Sequence, residues 1–311
     1  MKKTIEQLFQ EFLYESEFVK RVQPETLRGY STTFQLFKKL LPDISVETLT
    51  TSNITEFFKT LQERKRIIGK GIIKVGVKKS TVSTYWGKLS AFFQWLADKK
   101  YINENPLRKM HHPTPVYEDR KYLTKVDIEK IIAAIHVHHN NNELYVKRNI
   151  VLFYILLFCG LRRQELLQLQ IRDIDFERKL LTIRRDTSKS GRTRVIPLHS
   201  DIIMYLKDYL AIRKKYTTPY LIASSSRDEH LTLDGLKHLI QKLQDYSGVE
   251  FHLHQLRHTF AINFLKTSNN VVKLKQLLGH RDINMTTIYL RCLPPSELQG
   301  DIENMNIDSM L

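Results

Sequence analysis

Apolar residues recur at helical spacing through the N-terminal third of the chain. Ile5, Leu8, Phe9 and Phe12 fall on one face of an amphipathic segment that reaches Glu15. Pro24 suits a first helical position. Leu27, Tyr30, Phe34, Phe37 and Leu41 then come at three- and four-residue steps until Pro42 ends the run. Thr50 or Ser52 can cap a third helix bearing Ile54, Phe57, Phe58 and Leu61. A fourth, from about Ser80, carries Val82, Tyr85, Leu89, Phe92, Phe93 and Leu96, and Asn105-Pro106 breaks the helical pattern beyond it.

Residues 106–121 interrupt this rhythm with three prolines and several charges, a linker composition that marks a domain boundary. The pattern then resumes. Leu123-Thr124 precedes a helix through Ile135, and a nearly continuous apolar helix covers 146–159. Two strand-like runs, 179–185 and 194–198, flank the turn TSKSGRT. Further helical spacing appears over 202–216 and 233–247, and around 256–267, 271–278 and 286–290. The fold class expected is mainly α with a small antiparallel β-sheet. A helical bundle (1–110) and a linker (111–121) would lead into an α+β domain (122–295) and a tail (296–311). At 311 residues, each domain is long enough to bury its own core.

Charge changes this picture more than composition does. The chain holds 49 Lys+Arg against 33 Asp+Glu, a formal charge of +16, and such an excess fits a polyanion partner, most often nucleic acid. Residues 1–115 have 20 basic against 11 acidic residues, and residues 116–295 have 29 against 18, so both domains face a polyanion. The tail has no Lys or Arg but carries Glu297, Asp301, Glu303 and Asp308. Its Leu298, Ile302 and Met305 would share one face of a short helix that needs a surface to dock on, while Gly300 and the Asn/Asp-rich end argue for fraying. Between the third and fourth helices lies RKRIIGKGIIKVGVKKS, with seven basic residues from Arg64 to Lys79 and no acid. Its glycines argue for a basic loop or hairpin: either a solvated loop or a strip gripping phosphates, with the interleaved Ile and Val suggesting some order. Arg64, Lys65, Arg66, Lys70, Lys74, Lys78 and Lys79 are therefore candidate DNA contacts, with Tyr85 and Lys88 on the helix after them.

The two cysteines, Cys159 and Cys292, form no paired framework, which favours a reducing compartment. The longest apolar run, 150–159, is about half a membrane span. The N-terminus lacks the apolar core of a signal peptide, so a cytoplasmic protein is expected. His136, His138 and His139 lie in a polar stretch without companion ligands at metal spacing. No Walker-type phosphate loop occurs, and no metal or other cofactor is expected.

Five short pieces in order carry the candidate chemistry: Gly160-Leu161-Arg162 with Glu165, Lys189 in a turn, HQLRH at 254–258, Leu278-Gly279-His280, and Thr287-Ile288-Tyr289. Singly they are weak, because such arginines and histidines are usually structural, and Tyr289 is one tyrosine of 14. Jointly they suit the gripping of one phosphodiester. Arg162 and Arg257 can donate paired hydrogen bonds to non-bridging oxygens and follow the charge of a five-coordinate transition state. Lys189 on a mobile turn can protonate a leaving oxygen, and His254 and His280 can donate or shuttle protons. Tyr289 can attack phosphorus and hold the DNA end covalently, which conserves bond energy so that strands rejoin without ATP.

This ordered set resembles the signature of the tyrosine recombinase (phage integrase) family, and in particular its Xer-like members. HQLRH is similar to the family's HxLRH box. LGHRDINMTTIY is similar to its LGH box, with the nucleophile nine residues after the histidine. Residues 1–105 resemble the family's helical core-binding (SAM-like) domain. The resemblance implies that Arg162 and Arg257 clamp the scissile phosphate and that Lys189 protonates the 5′ oxygen. It further implies that His254 acts as base or acid, that His280 hydrogen-bonds the phosphate, and that Tyr289 forms a 3′-phosphotyrosyl bond. Glu165 would orient the site, and His258 would be structural. It also implies a C-shaped clamp around double-stranded DNA and a homotetramer on two sites, acting through a Holliday junction, and it favours docking of the tail on a neighbouring subunit. A type IB topoisomerase shares such an active site, and a non-catalytic DNA-binding regulator could share the fold. Mobile-element integration and chromosome-dimer resolution use the same residues.

Overall fold

The computed structural model describes residues 3–68, 71–113, 122–138, 142–188, 191–214, 216–224 and 227–292. The chain forms two compact units, Met1–Glu118 and Asp119–Leu311.

The first unit is built from α1 (Ile5–Phe18), α2 (Pro24–Leu40), α3 (Thr51–Glu63), β1 (Lys65–Ile68), β2 (Ile72–Val75) and α4 (Lys79–Asp98). Each helix start has a local cause. Thr4 and Gln7 form a reciprocal capping box, the Thr50 hydroxyl accepts from the Asn53 N–H, and Pro24 opens α2 with its φ already helical. The apolar faces meet in an aromatic core. Phe9 stacks on Phe34 at 3.9 Å between ring centroids, Phe92 packs edge-on to both, and Phe37 packs against Phe57. Full burial of one such ring stabilises by roughly 1.5–3 kcal/mol, so these side chains hold the bundle together. The basic insertion is a hairpin rather than an open loop, with Lys65 opposite Val75, Arg66 opposite Lys74, and Ile67 opposite Ile73.

The second unit contains α5 (Lys125–His138), α6 (Glu143–Cys159), α7 (Arg163–Leu167), β3 (Ile174–Asp175), β4 (Leu180–Ile183) and β5 (Arg194–Pro197). It continues with α8 (Ser200–Ile212), α9 (Leu233–Ser247), α10 (Leu253–Ser268), α11 (Val271–Leu278) and α12 (Asn284–Thr287). Helix α6 is apolar nearly all round and lies at the centre, packed on α8 and α10, while α5 packs on α9. Cys159 at its end is fully buried, and burial pushes its thiol up to about 12. The sheet runs β3-β4-β5, antiparallel throughout, with Leu181 opposite both Ile174 and Ile196. Among the described residues no helix is long and apolar enough to cross a membrane.

Two features depart from the sequence pattern. β3 is only two residues long, too short to show alternation. The helix expected around 286–290 is a single turn, α12, continued by a 3-10 turn over Leu290–Cys292, so Tyr289 sits at their junction. The β-branched run Thr286, Thr287, Ile288 resists a longer helix. The tail, most of the linker (114–121), His139 and the residues 69–70 and 189–190 lie outside the described residues.

Candidate active site

The site grows from the ends of α6 and α11. Both helices close on a glycine in the left-handed conformation, Gly160 at φ +58 and Gly279 at φ +64. A Cβ at Gly160 would lie 2.4 Å from the Phe260 ring, and one at Gly279 would lie 3.0 Å from Arg194. Glycine at both positions therefore reflects conformation and space together. The carbonyls left unpaired at these helix ends then attract cations.

Arg257 on α10 supplies one. Its Nη1 donates to Gly160 O at 2.6 Å, and its Nη2 donates to Leu278 O at 2.7 Å. Nη2 also lies 3.0 Å from His280 Nε2. Arginine only donates, so this ring nitrogen accepts, and in the neutral ring the proton falls on Nδ1, 2.8 Å from Thr286 Oγ1. Arg257 is buried, and burial first, then repulsion from Arg162, pushes its guanidinium down to about 9. It remains charged at neutral pH.

Glu165 supplies the counter-charge, with its side chain fully buried. Oε1 accepts from Arg162 Nη1 and Arg194 Nη1, both at 2.9 Å. Oε2 accepts from the Arg162 N–H at 2.8 Å and from Arg194 Nη2 at 2.7 Å. Burial works against the carboxylate. The hydrogen bonds and charge of Arg194 and the N–H of Arg162 outweigh it and hold Glu165 down at about 2. Arg194 also donates through Nε to Leu277 O at 2.8 Å, tying β5 to the end of α11. Two guanidiniums thus bond one carboxylate, and a third, that of Arg257, lies within its electrostatic reach. This positive excess suits an anion such as a phosphodiester.

Tyr289 lies buried against Ala261, Ile262, Leu265, Leu274 and Leu278, with its hydroxyl 3.0 Å from His258 Nδ1. His254, one helical turn before His258, is exposed and meets the His258 ring edge-on at 4.3 Å. Arg162, Glu165, Arg257 and His280 gather in one cluster, Arg162 bonded to Glu165 and Arg257 to His280, while Tyr289, His258 and His254 form a chain of their own. Tyr289 is near enough to act electrostatically on Arg257. Lys189 lies outside the described residues; Gly191 faces Arg281, 3.7 Å from where a Cβ would stand.

Sequence reasoning missed Arg194 and Thr286. Arg194, Ile196 and Leu198 face inward while Val195 is exposed. A basic residue in the inward register of an alternating strand was the available signal. Thr286 left none, since its role depends on where His280 points.

The DNA-contact candidates are elsewhere, in the first unit. Lys65, Lys74, Lys78 and Lys79 are exposed. Arg64 and Arg66 are half-buried, and Arg66 Nε donates to Gly76 O at 2.8 Å. Lys70 lies outside the described residues. Tyr85 packs on the core of the unit, and Lys88 lies across Gly29, its Nζ 2.6 Å from where a Cβ would stand. Among the described residues no group of His, Cys, Asp and Glu could hold a metal ion.

A helical unit ahead of an α+β unit with a buried arginine cluster and a histidine-bonded tyrosine defines a class of phosphodiester-transferring enzyme. The chain belongs to the phage integrase family: residues 121–294 match that family, and residues 8–103 match the phage integrase N-terminal SAM-like domain. It is a DNA strand-breaking and rejoining enzyme of the tyrosine recombinase type, working through a phosphotyrosyl intermediate. Among similar proteins, a tyrosine recombinase of Thermosipho africanus is 27% identical over 93% of this chain and 95% of its own. The tyrosine recombinase XerA of Pyrococcus furiosus is 28% identical over 93% and 96%. The fold matches that of the Tn1549 transposon integrase in complex with transposon right end DNA. Its TM-score is 0.74 at 18% identity, covering 95% of this chain and 98% of that one.

Proposed function

We propose that Tyr289 is the nucleophile and that the arginine cluster is its phosphate clamp. The observation that carries this reading is the excess of guanidinium charge around Glu165, in the same unit as a tyrosine hydroxyl already paired with an imidazole. Arg162 and Arg257 hold the non-bridging oxygens of the scissile phosphate, and His280 adds a third contact once its Nε2 carries the proton and turns from Arg257 to the phosphate, with Nδ1 then accepting from the Thr286 hydroxyl. The Tyr289 oxygen attacks phosphorus, forming the 3′-phosphotyrosyl bond as the bond to the 5′ oxygen breaks. Lys189 delivers a proton to that departing oxygen. The tyrosine proton passes to the His258–His254 pair, and Nδ1 of His258 is the atom in contact with the hydroxyl. Glu165 and Arg194 position the clamp without touching the reacting atoms.

The partner is double-stranded DNA bearing specific recombination sites. The net charge of +16 and the DNA-bound structural relative support this. Residues 1–110 form the core-binding domain, 111–121 the linker, 122–295 the catalytic domain and 296–311 a subunit-docking tail. The two domains close on the duplex as a clamp, and four subunits on two sites exchange strands in pairs through a Holliday junction.

The test is trapping on a nicked suicide substrate. The wild type should form a covalent adduct, and Tyr289→Phe should bind the same DNA but form none. An adduct with Tyr289→Phe would overturn the assignment, and plasmid relaxation without recombination would instead support a topoisomerase.

A further inference from the structure

The β1–β2 hairpin presents apolar side chains that the fold does not use. Ile67 is 77% exposed, Ile73 and Val75 are each 66% exposed, and Ile72 is 57% exposed. Side chains alternate along a strand, so the pairing register puts Lys65, Val75, Ile67 and Ile73 on one face, and Arg66, Lys74 and Ile72 on the other. A two-stranded ribbon this short is marginal by itself. Its base is nevertheless held firmly. The Gly76 N–H donates to Arg64 O at 2.9 Å, Arg66 Nε donates to Gly76 O, and Gly76, at φ +65, sits so close to α3 that a Cβ would lie 2.2 Å from Gln62 O. The ribbon is thus a braced projection whose apolar surface is left uncovered by the described residues of its own unit.

Charge selects the occupant. The segment from Arg64 to Lys79 has seven basic residues and no acid. The two domains of a second copy are poor partners, because residues 1–115 and 116–295 are both net positive; only its acidic tail would complement the hairpin, and that occupant would show as a loss confined to cooperative binding. A polyanion with apolar patches between its charges is a good one. The major groove of DNA offers phosphate rims, thymine methyl groups on its floor, and a width of about 12 Å that admits a two-stranded ribbon.

We propose that the β1–β2 hairpin enters the major groove, with Lys65 and Lys74 on phosphates and Ile67 and Ile73 against thymine methyl groups. This rests on DNA being the substrate. It assigns to the hairpin a share in reading sequence, beyond simple phosphate gripping.

The experiment compares full-length wild type with Ile67→Asn/Ile73→Asn and with Lys65→Gln/Lys74→Gln. Each is titrated against a duplex enriched by binding selection and against random duplex, over a range of salt. The isoleucine pair should lower the ratio of selected to random affinity by at least tenfold, about 1.4 kcal/mol, and leave the salt dependence intact, since apolar contacts release no counterions. The lysine pair should weaken both duplexes alike and reduce the log–log salt slope by about 1.8, at about 0.9 per phosphate contact. Replacing thymine by uracil in the selected duplex removes only the methyl groups and should reproduce the isoleucine loss in the wild type. An unchanged affinity ratio, an unchanged slope for the lysine pair, or a loss confined to cooperative binding of two copies would each overturn the proposal. Urea unfolding of all three proteins shows that they are folded, and suicide-substrate trapping by the wild type tests the Tyr289 assignment separately from the hairpin.

Discussion

Glu165 is the residue on which the arginine cluster depends, because among the described residues it offsets charge on both Arg162 and Arg194. Removing one member of a buried ion pair leaves the other uncompensated, so Glu165→Gln should destabilise the protein by about 3–5 kcal/mol at neutral pH, as read from urea unfolding. The pH dependence has a definite sign. The folded carboxylate is held at about 2, below its ordinary value of 4.5, so the folded state binds the proton less readily than the unfolded state. Its stabilisation is complete above the unfolded value and is lost as pH falls toward 2. The gap between wild type and Glu165→Gln should therefore narrow from pH 5 to pH 3, and a constant gap would show that Glu165 does not act as a carboxylate. At this scale Arg162, Glu165, Arg257, His280 and Tyr289 were legible in the sequence, because each sits in a short motif whose spacing reflects local geometry. Arg194 was not, because it meets Glu165 only when β5 packs beside α7. The closeness of His258 to the Tyr289 hydroxyl was equally hidden, since adjacency to Arg257 says nothing of where the ring points.

At the scale of elements, the helix ends do the positioning. Gly160 and Gly248 both cap helices in the left-handed region, at φ +58 and φ +68. They differ in space: a Cβ at Gly160 meets Phe260, whereas one at Gly248 meets nothing within 4 Å. Gly248→Ala should cost only the backbone strain, about 1–2 kcal/mol. Gly160→Ala adds overpacking of about 1–3 kcal/mol and should also displace the carbonyl that Arg257 holds. Parallel urea titrations and adduct formation check this. Gly248→Ala should cleave normally and Gly160→Ala should not, and equal behaviour of the two would show that Phe260 yields freely. The helices were legible because burial imposes a 3.6-residue period that survives in sequence. The shortness of α12 was not, because a single turn carries too few positions to show a period.

For the whole molecule, one core in the first unit and a large and a small one in the second mean two sources of stability. Only the second unit contains the arginine cluster. Inorganic phosphate at ten times its dissociation constant should stabilise that unit by about 1.4 kcal/mol, and shift its thermal transition by about 3–6 °C. Calorimetry of the full chain should show one transition moving and the other fixed. Arg162→Gln should abolish the shift, because it removes a guanidinium while Arg194 still balances Glu165. A shift shared by both transitions would place the phosphate elsewhere. The division into two units was legible in the proline-bearing stretch after α4. Which surface of each unit meets a partner is something no periodicity records.

The burial of Tyr289 has a consequence in time. With 1% of its surface accessible, a Tyr289 acting as the proposed nucleophile must come out of its apolar nest before its oxygen can meet a phosphate. An enzyme that searches long stretches of DNA touches many wrong phosphates briefly and the right one for longer. If emergence takes longer than a passing encounter, the chance of attack depends on how long the protein stays, not on how often it lands. The buried hydroxyl then works as a clock as well as a reagent. Brief visits end before it can strike, and a loose, damaging break at a random position is avoided by delay alone.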